Sequence, residues 1–193
     1  RYYGLDDAGC LADCLHARPG QAAADAAPYD ALRPNQLLAV TLRAIEDRAL
    51  AGRILDACSG LLVPGAIRSL ADRPVACALP IWHAGRLLND PLRPYWGRYE
   101  GDEDTRRKPA YHNGTAWTWL FPSFCEAWLQ TFGRSGRAAA LAWLGSSLGL
   151  FSSGCLGQLP EIVDGDAPHT SRGCDAQAWA VSEWIRVWKL AAH

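Results

Sequence analysis

Methionine is absent from the 193-residue sequence, even at its first position, so the chain is expected not to begin where translation began. Its opening, Arg1 to Asp7, has no basic stretch followed by an apolar one and so shows no secretory signal. No apolar run reaches the roughly 18 residues that a membrane-spanning helix needs. The longest, Ala138 to Phe151, is broken by Gly145, Ser146, Ser147 and Gly149. An excess of charge is also missing: 19 Lys and Arg stand against 20 Asp and Glu, a formal charge of -1. That balance argues against nucleic acid or an anionic membrane as the main partner and moves neutral ligands up.

Several chemical signatures are missing as well. There is no G-x-S-x-G elbow, no P-loop and no H-E-x-x-H, so serine hydrolases of that type, nucleotide enzymes and zinc proteases find no support. The seven cysteines are odd in number and scattered, which argues for reduced thiols. Cys10 and Cys14 form a C-x3-C pair, but no second Cys or His pair follows at zinc-site spacing, so no metal is expected. The expected setting is the cytoplasm, where thiols stay reduced.

What remains is an ordinary globular composition, 49% hydrophobic, in a chain long enough for one domain. Pro34 stands at the first turn of a helix that draws on Leu37, Leu38, Val40, Leu42 and Ile45. A second helix is expected from about Glu46 to Ala57. Between Leu61 and Tyr111 six prolines exclude a long helix. Trp117, Leu120, Phe121, Phe124 and Trp128 then recur as one helix face, and Arg137, Leu141, Leu144, Leu148 and Phe151 repeat the spacing. Ala180, Trp184, Val187, Trp188 and Ala191 mark a last helix over 175–192. The pattern predicts about five helices with little strand, an all-α chain with no internal domain boundary.

Nine Trp outnumber six Tyr and four Phe. Helix packing accounts for most of them, but indole faces also stack on the C–H faces of sugars, so an aromatic carbohydrate cleft is a compatible reading. Glu161 follows Pro160 between apolar neighbours. It is a proton-acceptor candidate if its surroundings are dry, and a solvated or arginine-paired carboxylate otherwise. Asp164, three residues on, reads as a solvated or structural carboxylate. His112 could be a base, a ligand or a hydrogen-bonding wall.

Six short motifs carry a resemblance. They are Arg33-Pro34-Asn35-Gln36, Gly65-Ala66-Ile67-Arg68-Ser69-Leu70, Tyr99-Glu100-Gly101, the run from Tyr111 to Trp117, Leu159-Pro160-Glu161-Ile162 and Gln177-Ala178-Trp179. From about Leu11 onward their order and spacing resemble the C-terminal catalytic domain of glycogen debranching enzymes, the amylo-α-1,6-glucosidase. Asn113 stands where Gln is usual, Gly65-Ala66-Ile67-Arg68 replaces a Gly-Leu-Arg run, and the segment from Cys77 to Pro94 looks inserted.

The resemblance implies about half of an (α/α)6 toroid, its C-terminal half, with long loops between helices and with the missing N-terminal half as a partner. It implies inverting hydrolysis of α-1,6-linked glucose stubs on an α-glucan, glycogen or limit dextrin, without metal or organic cofactor. Glu161 matches the general base, and the general acid is an Asp upstream of Arg1. Arg33, Tyr111, His112, Trp117, Gln177 and Trp179 carry over as substrate-binding candidates. The alternative is a noncatalytic fragment that binds glucan weakly or needs its missing half.

Overall fold

The computed structural model describes residues 9–193; the opening segment read above for a secretory signal lies outside them. Strands β1 (Leu15–His16) and β2 (Ala27–Pro28) pair as a small hairpin ahead of a 3₁₀ turn at Pro34–Gln36. Helix α1 (Leu37–Thr41) continues that turn and stops at Leu42, before Arg43 takes a positive φ of 58°. Helix α2 (Arg48–Ser59) starts where the Asp47 carboxylate accepts the free backbone N–H of Leu50 at 2.7 Å, an N-cap. It buries Ala51, Ile54, Leu55 and Cys58, the i, i+3, i+4, i+7 face.

The proline-rich middle holds β3 (Leu62–Val63), β4 (Ala66–Arg68), β5 (Trp82–His83) and β6 (Arg86–Leu87). A π-helical turn at Glu103–Arg107 then runs into the single helical turn α3 (Lys108–Tyr111). Strand β7 (Ala116–Trp117) leads to α4 (Phe121–Phe132), with Pro122 in its first turn, and α5 (Arg137–Gly145) follows. The last elements are β8 (Ile162–Val163), β9 (Ser171–Arg172) and α6 (Ala178–Ala192).

Helix α4 is the centre of the helical layer and packs on α1, α2, α5 and α6. Phe121, Phe124 and Cys125 are buried on it, against Leu37, Ile54 and Leu55 on one side and Ala140, Leu144 and Val187 on the other. At roughly 25 cal/mol per Å² of apolar surface, this burial is the main drive for folding.

The chain is not all-α. Strands β3, β4, β7, β8 and β9 form one five-stranded antiparallel sheet in that order, which overturns the expectation of an all-α half of an (α/α)6 toroid. Trp117 lies in this sheet and not at the start of a helix: it pairs with Ile67 on one side and Ile162 on the other. Its spacing to Leu120 and Phe121 mimics a helix face because a short turn happens to set the strand before α4.

Candidate functional site

The sheet brings together motifs that lie far apart in the chain. Leu159-Pro160-Glu161 leads into β8, and β8 pairs with Trp117 on β7, so Glu161 comes beside the loop from Tyr111 to Trp119. Its backbone is fixed on both sides: Thr118 donates to the Glu161 carbonyl through N–H at 3.3 Å and Oγ1 at 3.1 Å, and Glu161 N–H donates to Cys174 O at 2.7 Å.

The Glu161 carboxylate is half-buried and has two donors. Tyr111 Oη donates to Oε1 at 2.5 Å, and the backbone N–H of Cys174 donates to Oε2 at 3.2 Å. Among the described residues no Arg, Lys or His pairs with it. Of the alternatives open at Glu161, arginine pairing is therefore excluded. Burial, reinforced by the Glu161 hydrogen bond and charge, pushes the Tyr111 hydroxyl well above its ordinary range, so it remains a donor.

A cavity of about 590 Å³ opens beside this pair. Arg33, His112, Trp117 and Trp179 line it; Tyr111, Gln177 and Glu161 do not. The His112 imidazole lies flat on the Trp117 indole at 5.3 Å between centroids, and Trp119 stacks on Trp179 at 3.9 Å. Burial and the neighbouring Arg33 charge both lower the His112 pKa, so this stack carries a neutral ring at neutral pH. The result is an aromatic wall with a polar complement from Asp13, His16, Tyr29 and Ser69.

Arg33 spends most of its donors on the protein. Nη1 donates to the carbonyls of Ser69 and His112, Nη2 to Asn113 Oδ1 at 3.0 Å, and Nε pairs with Asp13 at 3.3 Å. It clamps the floor of the cavity as much as it faces it. Asn113, where Gln was the usual residue, is bound at both ends of its amide, since Nδ2 also donates to Pro109 O at 2.9 Å. The next residue must be glycine: a Cβ on Gly114 would sit 2.3 Å from the Trp96 carbonyl oxygen. Gln177 lies just ahead of α6, its N–H on Leu159 O at 2.9 Å and its buried Oε1 without a partner.

The family model described as amylo-alpha-1,6-glucosidase matches residues 86–186, more than half of the chain. The chain belongs to the amylo-α-1,6-glucosidase family. A search of curated proteins finds no match. The amylo-α-1,6-glucosidase match covers Glu161, Tyr111, His112, Trp117, Gln177 and Trp179, and it begins within the segment that looked inserted. Arg33 and the motif from Gly65 to Leu70 lie before it.

Sequence reasoning missed Asp13, Tyr29 and Gly173. Tyr29 is 3% exposed and lines the cavity, its hydroxyl under the influence of Arg33. Its only signal was an aromatic residue in the loop before the Arg-Pro-Asn-Gln motif. Gly173, at φ 67°, lets the chain pass close over the glutamate: a Cβ there would stand 2.4 Å from Glu161 Oε2. Among the described residues no cluster of three or more metal-ligating side chains occurs, and no helix is long and apolar enough to cross a membrane.

Proposed function

We propose that the chain carries the general-base half of an inverting α-1,6-glucosidase that removes single glucose stubs from trimmed glycogen branches. The observation that carries this reading is the Glu161 carboxylate, paired with no cation among the described residues, held by two donors and set next to a strand whose neighbour, Trp117, opens on the cavity. A carboxylate oxygen has two lone-pair sites, so each Glu161 oxygen keeps one for a water proton.

The chemistry follows from inversion. Water attacks the anomeric carbon from the face opposite the leaving group while Glu161 accepts its proton. A second carboxyl, about 6.5–9.5 Å away, protonates the departing glycosidic oxygen. That acid is an Asp by the family resemblance and is not assigned to a residue of this chain. His112, Trp117 and Trp179 supply flat faces for the sugar, Arg33 supplies a polar contact, and the carboxylates meet the oxocarbenium-like transition state without metal or organic cofactor. The ligand is an α-glucan, glycogen or limit dextrin, and the setting is the cytoplasm, a compartment that keeps scattered cysteines reduced.

Proton NMR of the intact protein acting on a dextrin bearing one 6-O-α-glucosyl stub tests this directly. β-Glucose should appear first and mutarotate afterwards. α-Glucose as the first product contradicts inversion, and release of no glucose from the stub contradicts the activity.

A further inference from the structure

We propose that Tyr111 is a positioning residue that fixes the Glu161 carboxylate through its hydroxyl, and that it does not form a wall of the sugar subsite. The proposal rests on Glu161 being the base and adds the device that aims it.

Three observations meet at this residue. First, Tyr111 Oη stands 2.5 Å from Glu161 Oε1, against 3.2 Å for the Cys174 N–H on the other oxygen. Both donors serve the same carboxylate, and a hydrogen bond weakens as it lengthens, so the phenol is the firmer of the two holds. Second, the Tyr111 ring is packed by aromatic neighbours: Trp117 edge-on at 4.8 Å, His112 at 4.9 Å and Tyr99 at 5.5 Å between centroids. Its backbone is anchored too, because Thr115 Oγ1 donates to the Tyr111 carbonyl at 2.6 Å. Third, the Tyr111 hydroxyl is spent on Glu161 and its ring on these neighbours, whereas His112 and Trp117, the rings it leans on, line the cavity.

The chain of contacts therefore runs from the cavity wall through the Tyr111 ring to the carboxylate. Tyr111 keys the rotation of Glu161 to the same two rings that face the sugar. Loss of the hydroxyl leaves Oε1 with no donor and only the longer Cys174 contact on Oε2, so the carboxylate can turn about its last bond. Substrate contacts are untouched, and the fault appears in the chemical step alone.

A double-mutant cycle in the intact protein separates this role from a structural or a substrate-binding one. Wild type, Tyr111→Phe, Glu161→Gln and the double variant are compared for kcat and KM on a 6-O-α-glucosyl dextrin, with thermal unfolding recorded for each. Tyr111→Phe should lower kcat by roughly 10- to 100-fold with KM within about twofold, the size seen for groups that orient a first-line residue. In the Glu161→Gln background the same change should cost less than about threefold, because there is no carboxylate left to aim. Equal losses in both backgrounds overturn the proposal, as does a raised KM with kcat unchanged, which would place Tyr111 on the sugar. If Glu161→Gln itself is fully active, the base assignment fails; if it is crippled while Tyr111→Phe is normal, only the positioning role fails.

Should Tyr111→Phe fold poorly, 4-fluorophenylalanine at position 111 fills the place of the hydroxyl but donates no hydrogen bond. It should lower kcat as Tyr111→Phe does with KM little changed, and wild-type turnover overturns the proposal.

Discussion

Glu161 and Asp164 stand three residues apart in one loop and strand, yet their surroundings give them different work. Asp164 is 1% exposed and fully engaged: Tyr99 N–H donates to Oδ1 at 2.8 Å, and Arg172 donates to Oδ2 from Nε at 3.1 Å and Nη2 at 3.0 Å. Arg172 reaches on to Glu100 at 3.2 Å. The solvated reading of Asp164 is thereby excluded and the structural one stands. Glu161, paired with no cation among the described residues, keeps acceptor capacity for a substrate proton. Gly173→Ala tests how tightly that carboxylate is held. A methyl there meets Glu161 Oε2 at 2.4 Å and imposes a positive φ on a residue with a Cβ. The variant should keep a cooperative unfolding transition, lose roughly 1–2 kcal/mol of stability by backbone strain, and lose most of its kcat. Full turnover would mean that the carboxylate's position does not matter. Glu161 and its residue type were legible in the Leu-Pro-Glu motif. Tyr111 stood out too, but its partner 50 residues away did not, because a hydrogen bond closed by a sheet leaves no local spacing to read.

Helices were the legible elements. Helix α2 lies at Arg48–Ser59, close to the range expected from about Glu46 to Ala57, and α6 buries Ala180, Val187 and Ala191 of its expected face while Trp188 of that face stays exposed. Strands were not, and the reason is their length: each strand of the five-stranded sheet has two or three residues, too few for an alternation of period two to show. The sheet is nonetheless what delivers Glu161 to Trp117. The turn between α3 and β7 carries a measurable electrostatic signature at His112. Its pKa is lowered in the folded state, chiefly by burial and then by Arg33, from an ordinary value of 6.5. The unfolded chain therefore binds the His112 proton more readily, and stability rises with pH through the window just below 6.5. The penalty is fully present below the folded pKa and gone above the unfolded one. Urea unfolding across this range should give a slope that His112→Gln reduces, and a slope equal in both proteins would remove His112 as its source.

At the scale of the whole molecule, two layers divide the labour. The helical layer around α4 supplies most of the buried apolar mass, with Phe121, Phe124, Leu144 and Val187 out of contact with water. The sheet contributes Ile67 to that core and a small cluster of its own, Val63, Ala66, Ala116 and Val163, and acts as the frame on which distant segments of the chain converge. Arg33 ties the segment before α1 to the turn after α3, and Arg186 ties α6 to α4 through Glu126 at 3.0 Å. The proposed base thus stands at the edge of the frame, where Glu161 leads into β8. Asp164→Asn cannot serve as a neutral comparison for Glu161, because it loosens the frame itself. The central claim is that Glu161 takes the proton of the attacking water, and the most direct test is the turnover of Glu161→Gln in the intact protein on a 6-O-α-glucosyl dextrin. Glutamine keeps the size and removes the basicity, so kcat should fall by about 10²- to 10⁴-fold with KM little changed and the unfolding temperature preserved; turnover close to that of the wild type would contradict the account.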